Sequence, residues 1–317
     1  MTLEPDAQAV LDEYAKLNMP PLSSLDIETL RAGSRAAVQI PGPDVSHVED
    51  RVAPGPRGDI PVRVYRDGDN PGGGLIVYLH GGGFAMGGLD MYDPICRHLA
   101  AGSGYSLVSV DYRLAPEHPY PAPGEDAYAA TCWAAEHAVE LGAQADRLIV
   151  MGDSAGGSLA LVVCLMARDR KGPAVAQQIS VYGTTEMVVS NPELDGVGLL
   201  SAADCEWFWD LYVPDHPRRE EPYCSPLRAK SLAGLPPAFV LTAEYDPTRD
   251  ATERYAHRLA AEGVLTTLKR YPGSFHGFFS MPALNQGRRS LDDVLRVLRG
   301  VAGPAHAARE SAGREAG

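Results

Sequence analysis

The run Gly152-Asp153-Ser154-Ala155-Gly156 fits the pattern G-x-S-x-G. A serine hydroxyl is a weak nucleophile unless a sharp turn exposes it beside a base, so its setting matters more than the pattern. Here the pattern follows the apolar run RLIVMG (147–152) and opens a helical pattern over Ala155–Arg170. That strand–turn–helix exposes the Ser154 hydroxyl, with Gly152 and Gly156 at the two positions where a side chain would crowd the turn. A helix start also aims positive N–H ends at the nucleophile. An idle serine in a glycine-rich turn is the bland alternative.

A second run, His80-Gly81-Gly82-Gly83-Phe84, follows another apolar strand. Three successive glycines leave backbone N–H groups open to an approaching oxyanion. A flexible loop would be the default for such a triplet alone; a nucleophile turn downstream makes an oxyanion loop the better reading. In this kind of site one N–H comes from the residue after the nucleophile, here Ala155, and others from the glycine loop.

Acyl transfer then needs a base and an acid that orients it, in the chain order Ser…Asp/Glu…His. Of nine histidines, His276 follows the last strand pattern in PGSFHGFF, between Gly273 and Gly277. The others precede Ser154 or fall on polar helix, tail or intervening-segment positions. The acid should end the strand AFVLTAE, which offers Glu244, Asp246 and Asp250. Asp246 lies in the turn EYDP just past the strand and is favoured over Glu244. Asp250 reads as a helix N-cap.

Around these residues, short β-rich runs alternate with helical patterns from about Ile60 onward. IPVRVYR (60–66), LIVYLH (75–80), SLVSVDY (106–112), RLIVMG (147–152), QQISVY (177–182), AFVLTAE (238–244) and LTTLKRY (265–271) read as strands. Several are apolar on both faces, as strands inside a parallel sheet must be. Gly124–Leu141, Ala155–Arg170, Asp250–Glu262 and Gln286–Leu298 read as helices. The alternation predicts an α/β fold, a mostly parallel sheet with helices on both faces. Residues 1–50, helical near Asp6–Leu17 and Ile27–Ala37, and residues 184–235, with the aromatics Trp207, Phe208, Trp209 and Tyr212, break the rhythm. Segments of that size are usually lids or binding elements.

Composition narrows the partners. Lys+Arg 28 against Asp+Glu 41 gives a formal charge of -13, which disfavours nucleic acid and anionic membranes. Five scattered cysteines without a CxxC pair speak against zinc or redox motifs, and reduced thiols are expected. MTLEPDAQAV carries acids where a secretory signal needs a basic start, and the most apolar stretch, Ser158–Ala167, falls far short of the ~20 residues that span a bilayer. A cytoplasmic location is expected. Residues 303–317 are small, polar and unpatterned, and are expected to be disordered.

HGGGF, DYRLAPEHPYPAPGED (111–126), GDSAGG, Ser225-Pro226, TAEYDPTRD (242–250) and YPGSFHGF (271–278) occur in this order over roughly residues 75–280. In this the chain resembles the hormone-sensitive-lipase-like esterases, the bacterial family IV branch of the α/β-hydrolases. The resemblance implies an α/β-hydrolase fold over residues 1–302, with residues 1–50 and 184–235 as a helical cap over the acyl and alcohol pockets. It implies Ser154 as nucleophile, His276 as base and Asp246 as its orienter, with Gly82, Gly83 and Ala155 as oxyanion donors. Phe84, Trp207, Phe208, Trp209 and Tyr212 are the expected pocket residues. The implied reaction is hydrolysis of short- to medium-chain acyl esters, with no metal or organic cofactor expected. The family admits a homodimer, which no residue pattern here encodes.

Two positions depart from the family. Ser158 stands where Asn is usual, and Tyr182-Gly183 stands where Tyr-Pro is usual. The triad chemistry also serves thioesters, amides and acetylated natural products, so a tailoring hydrolase stays open. A small-molecule receptor on a dead scaffold, as in the gibberellin receptors, is the third reading; those proteins lack the histidine that is present here.

Overall fold

In a computed structural model of the protein, residues 2–18, 20–36, 40–68 and 73–301 are described. The expected tail at 303–317 lies outside them. The chain runs α1 (Pro5–Lys16), α2 (Ile27–Ala36), β1 (His47–Gly55), β2 (Gly58–Arg66), β3 (Leu75–Leu79) and α3 (Leu89–Ser103). It continues with β4 (Ser106–Val110), α4 (Ala122–Glu136), β5 (Leu148–Asp153), α5 (Ala155–Asp169), β6 (Gln177–Val181) and α6 (Ala202–Tyr212). β7 (Ala238–Tyr245), α7 (Arg249–Ala261), β8 (Thr266–Phe275) and α8 (Asn285–Gly300) complete the order.

The eight strands form one sheet in the order β1-β2-β4-β3-β5-β6-β7-β8. β1 and β2 pair antiparallel, as do β2 and β4, and the remaining neighbours are parallel. Because strand side chains alternate between faces, two cores result. Val77 and Val150 face a core shared with Ala130 of α4, Leu159 of α5 and Leu259 of α7. Tyr78 and Met151 face the other, shared with Leu99 of α3 and Val294 of α8. β3, β4 and β5 are buried along their whole length, hence their unbroken apolar runs.

Two elements absent from the sequence reading lie near the antiparallel edge. β1 alternates between half-buried and exposed residues and carries Glu49, Asp50 and Arg51, so it has no continuous apolar signal. It also takes His47–Asp50 out of the leading segment and into the sheet. α3 carries Pro94 in its interior, which masks its helical pattern.

The two segments outside the alternation meet each other. Asp204 closes a capping box with Ser201 at the start of α6. Its other carboxylate oxygen accepts the N–H of Ser23, 2.9 Å away, in the 3-10 turn Leu22–Ser24. Leu30 of α2, Phe208 of α6 and Ala85 after the glycine loop form a small third cluster. Arg31 of α2 adds polar ties, from Nε to the Ala85 carbonyl and from both terminal nitrogens to Glu117.

The tightest approach in the sheet is at the start of α5. A Cβ on Gly156 would stand 1.9 Å from the Leu79 carbonyl oxygen and 2.5 Å from that of His80. Both are backbone atoms that cannot swing aside. Gly156→Ala is therefore expected to cost about 1–3 kcal/mol, the usual range for overpacking, read as a lower urea midpoint. A midpoint equal to wild type would show that this contact yields.

Candidate active site

The C-terminal ends of the parallel strands supply the chemistry-bearing residues. β5 ends at Asp153, and Ser154 follows with φ 52°, a left-handed value that non-glycine residues adopt rarely. The turn is held by the Ser154 N–H, which donates to the Val181 carbonyl at 2.9 Å, and by the Ser158 N–H, which donates back to Ser154 at 3.0 Å. Ser154 Oγ lies 2.8 Å from Nε2 of His276, in the turn after β8. Nδ1 of the same ring lies 2.6 Å from Asp246 Oδ2. The other Asp246 oxygen accepts from the Thr248 N–H and hydroxyl, each at 2.8 Å.

Of the three carboxylates offered by the sequence, Asp246 alone reaches His276. Glu244 accepts the N–H of Gly273, and Asp250 accepts from Arg249. Burial opposes charge on the Asp246 carboxyl, but the neighbouring imidazole and the Thr248 donors outweigh it and hold its pKa below the usual value. Burial likewise pushes His276 down, yet the charge and hydrogen bond of Asp246, with Asp153 further off, raise it overall. The arrangement can take a proton from Ser154 at Nε2 while Asp246 fixes the proton on Nδ1.

The glycine loop lies opposite. Gly82 and Gly83 have φ of 110° and 59°, and the loop closes when the Ala85 and Met86 N–H groups donate to the Gly82 carbonyl. Among the described residues, the N–H groups of Gly82, Gly83 and Ala155 meet no protein acceptor. All three residues border one cavity of about 190 Å³ with Ser154 and His276.

Phe84, Phe208 and Trp209 also line that cavity. Trp207 and Tyr212 do not, and this corrects the expectation that all five aromatics face the substrate. Helical spacing turns Trp207 outward, where its ring packs on Phe208 at 4.9 Å. Tyr212 stacks behind Phe84 at 3.8 Å, as a backing layer. Leu22, Met86, Leu200 and Cys205 complete much of the apolar wall, and Tyr182 and Asp153 its base. No motif points to Leu22 or Leu200; they arrive only through tertiary packing.

Asp153 occupies a variable position of its motif, which carries no chemical signal of its own. Its carboxylate is buried and accepts the Tyr78 hydroxyl at 2.7 Å and the Gly81 N–H at 3.1 Å, tying the serine turn to the glycine loop. Burial pushes its pKa up to about 6, against the pull of those donors and of His276. His80 is buried, stacked on Tyr112 at 4.3 Å, and its Nδ1 lies 2.7 Å from the Gly81 carbonyl. Desolvation lowers its pKa to about 4, so the ring is neutral near pH 7.

A larger cleft of about 780 Å³ lies between α2 and the β2–β4 edge. Its charges are largely paired, Arg31 with Glu117, Arg63 with Asp50 and Arg113 with Asp126. Among the described residues, no group of three or more His, Cys, Asp or Glu side chains could hold a metal ion. No helix among them is long and apolar enough to cross a membrane. All five cysteines are free thiols.

Known proteins match this arrangement over most of the chain. A family profile described as alpha/beta hydrolase fold covers residues 76–280. The carboxylic ester hydrolase LipN of Mycobacterium tuberculosis is 41% identical over 94% of this chain and 83% of its own length. The carboxylesterase NlhH of the same organism is 43% identical over 69% of this chain and 71% of its own. Among solved structures, a hyperthermophilic esterase from the archaeon Pyrobaculum calidifontis superposes with a TM-score of 0.89 at 39% identity, covering 94% of this chain and 98% of that one. With its mostly parallel sheet, the serine turn at the end of β5 and these relatives, the chain belongs to the α/β-hydrolases, in their hormone-sensitive-lipase-like esterase branch.

Proposed function

We propose that Ser154, His276 and Asp246 are the catalytic triad of a carboxylic-ester hydrolase for short- to medium-chain acyl esters. The observation that carries this reading is the continuous line of contacts, 2.8 Å from Ser154 to His276 and 2.6 Å on to Asp246, at an apolar cavity. His276 takes the Ser154 proton as Oγ attacks the ester carbonyl. The Gly82, Gly83 and Ala155 N–H groups receive the oxyanion. His276 then gives its proton to the departing alcohol, leaving an acyl-serine. In the second half, His276 takes a proton from water, hydroxide adds to the acyl carbon, and the acid leaves as Ser154 regains its proton.

The leading segment, less His47–Asp50 of β1, and residues 184–235 act in this proposal as the cap that sets the acyl length. Leu22 from the first and Leu200, Phe208 and Trp209 from the second border the cavity, which supports the assignment. At roughly 30 Å³ for a water-sized group, about 190 Å³ holds about six such groups, enough for a short acyl chain. Free thiols throughout suit a reducing compartment, and we place the protein in the cytoplasm.

Ser154→Ala should abolish ester turnover and fluorophosphonate labelling with little change in melting temperature. Residual activity above about a hundredth of wild type would refute Ser154 as the nucleophile.

The pH profile follows from the raised His276 pKa. Only neutral imidazole accepts the serine proton, so kcat/KM should be low in acid and rise with pH. Its midpoint should lie above about 6.5, the ordinary histidine value. Asp246→Asn should cut kcat by several orders of magnitude and move that midpoint down. Greater damage from Glu244→Gln would reverse the choice of acid.

Across p-nitrophenyl esters from acetate to decanoate, each methylene that fits is worth about 0.8 kcal/mol, so kcat/KM should climb about fourfold per carbon. The optimum should fall at about four to six carbons, where the cavity is full. Phe208→Ala should move it to longer chains. An unchanged profile would remove the 184–235 segment from substrate selection.

A further inference from the structure

Five non-glycine residues among those described have a left-handed backbone, Asn18, Phe84, Ser154, Lys171 and Tyr182. Asn18 and Lys171 lie just past the ends of α1 and α5, where such a turn is the ordinary way to stop a helix. The other three follow β3, β5 and β6, which are neighbours in the sheet. The turn at Ser154 presents the nucleophile, and the one at Phe84 closes the glycine loop. The turn at Tyr182, with φ 38°, has no part in the chemistry described so far. A bulky residue held in that region costs on the order of 1–3 kcal/mol and persists only where the surroundings enforce it.

The surroundings do enforce it. The Tyr182 N–H donates to the Leu241 carbonyl at 2.7 Å, and the next carbonyl, of Gly183, accepts the Thr252 hydroxyl at 2.5 Å. Gly183 itself presses on the first turn of α5, where a Cβ would stand 2.6 Å from the Gly157 carbonyl carbon and 2.7 Å from the Ser158 nitrogen. In this backbone a proline ring at 183 has no room.

This wedge aims the Tyr182 ring at the base. Its centroid lies 4.7 Å from that of His276, at 51° between planes, and 5.5 Å from Phe278. The hydroxyl is buried and forms no hydrogen bond of ordinary geometry, although the backbone amides of Phe279 and Ser280 face it. What meets the imidazole is the ring, with centroids 4.7 Å apart. An aromatic face within about 6 Å of a cation attracts it, and His276 becomes a cation as it takes the serine proton. The polar or charged groups near that imidazole include Ser154 and Asp246 in contact, Asp153 further off, and Cys205, Thr184 and Ser280 on the same cavity wall.

We propose that Tyr182 is a positioning residue for the reaction: its ring, fixed by the left-handed turn after β6, holds the His276 imidazole in line with Ser154 and stabilises the imidazolium. No proton passes through Tyr182. The inference rests on the triad reading above.

The test replaces Tyr182 in the full chain with phenylalanine and then with mono-, di- and trifluorinated phenylalanine by nonsense suppression. Fluorine drains the ring face of negative potential while barely changing its shape, so folding is preserved along the series. Y182F serves as the reference of the series, so that removal of the hydroxyl is read apart from the loss of ring-face potential. Fluorination should then lower kcat in steps to about a tenth, with KM and melting temperature unchanged. The acidic limb of kcat/KM should move to lower pH by about half a unit, as the imidazolium loses support. A flat series with an unmoved limb would overturn the proposal and reduce the ring to packing. Loss of activity in Y182F at an unchanged melting temperature would also overturn it, placing the effect in the hydroxyl. Ser154→Ala separates the two readings: an active S154A sinks the triad and this inference together. An inactive S154A beside a flat fluorine series sinks this inference alone.

Discussion

A serine proposed as nucleophile on a strand-to-helix turn must leave the plane of its strand, and here it does so by entering a region of backbone space that L-residues ordinarily avoid. Ser154 satisfies that requirement at φ 52°, and the local cost is met by contacts on every side. Gly156 lets α5 touch the end of β3, Val181 of β6 accepts the Ser154 N–H, and Asp153 reaches across to the glycine loop. The parallel order β3-β5-β6 is what brings these anchors to one place. A different strand order would leave the turn unsupported, so the sheet topology and the chemistry are one constraint.

Electrostatics adds a second layer. Asp246 and His276 share a setting in which burial alone would discharge both, and each keeps its charge preference through the other. Asp153 shows what burial does to a carboxyl with neutral donors and only a distant cation: its pKa rises to about 6. Two carboxylates near one imidazole thus titrate apart, and the nearer one is the one in hydrogen-bond contact with the ring.

Much of this was legible in the sequence because its signals are local. Buried parallel strands read as apolar runs, and the serine turn, the glycine loop and the turn at Asp246 each fall where a strand ends. β1 and α3 were not legible, the first because an edge hairpin is wetted along one face, the second because Pro94 interrupts its pattern. Leu22, Leu200 and Cys205 carry no chemical signature and become wall residues only when distant segments fold over Ser154. Tyr182 is the instructive case. The sequence showed that Gly183 departed from a family habit, and only the backbone angle and the neighbouring imidazole explained what the departure accompanies.

The Asp204 carboxylate caps its own helix with one oxygen and grips the Ser23 N–H with the other. The two parts of the cavity wall, some 180 positions apart in the chain, are therefore latched to each other as well as to the sheet. Under the proposed cap assignment, inheritance of substrate preference would follow from that latch. A chimera that takes its leading segment from one relative and its α6 region from another would join halves shaped for different partners. Exchanging both segments together would carry the latch intact, so that specificity would travel as a pair of fragments on a constant sheet.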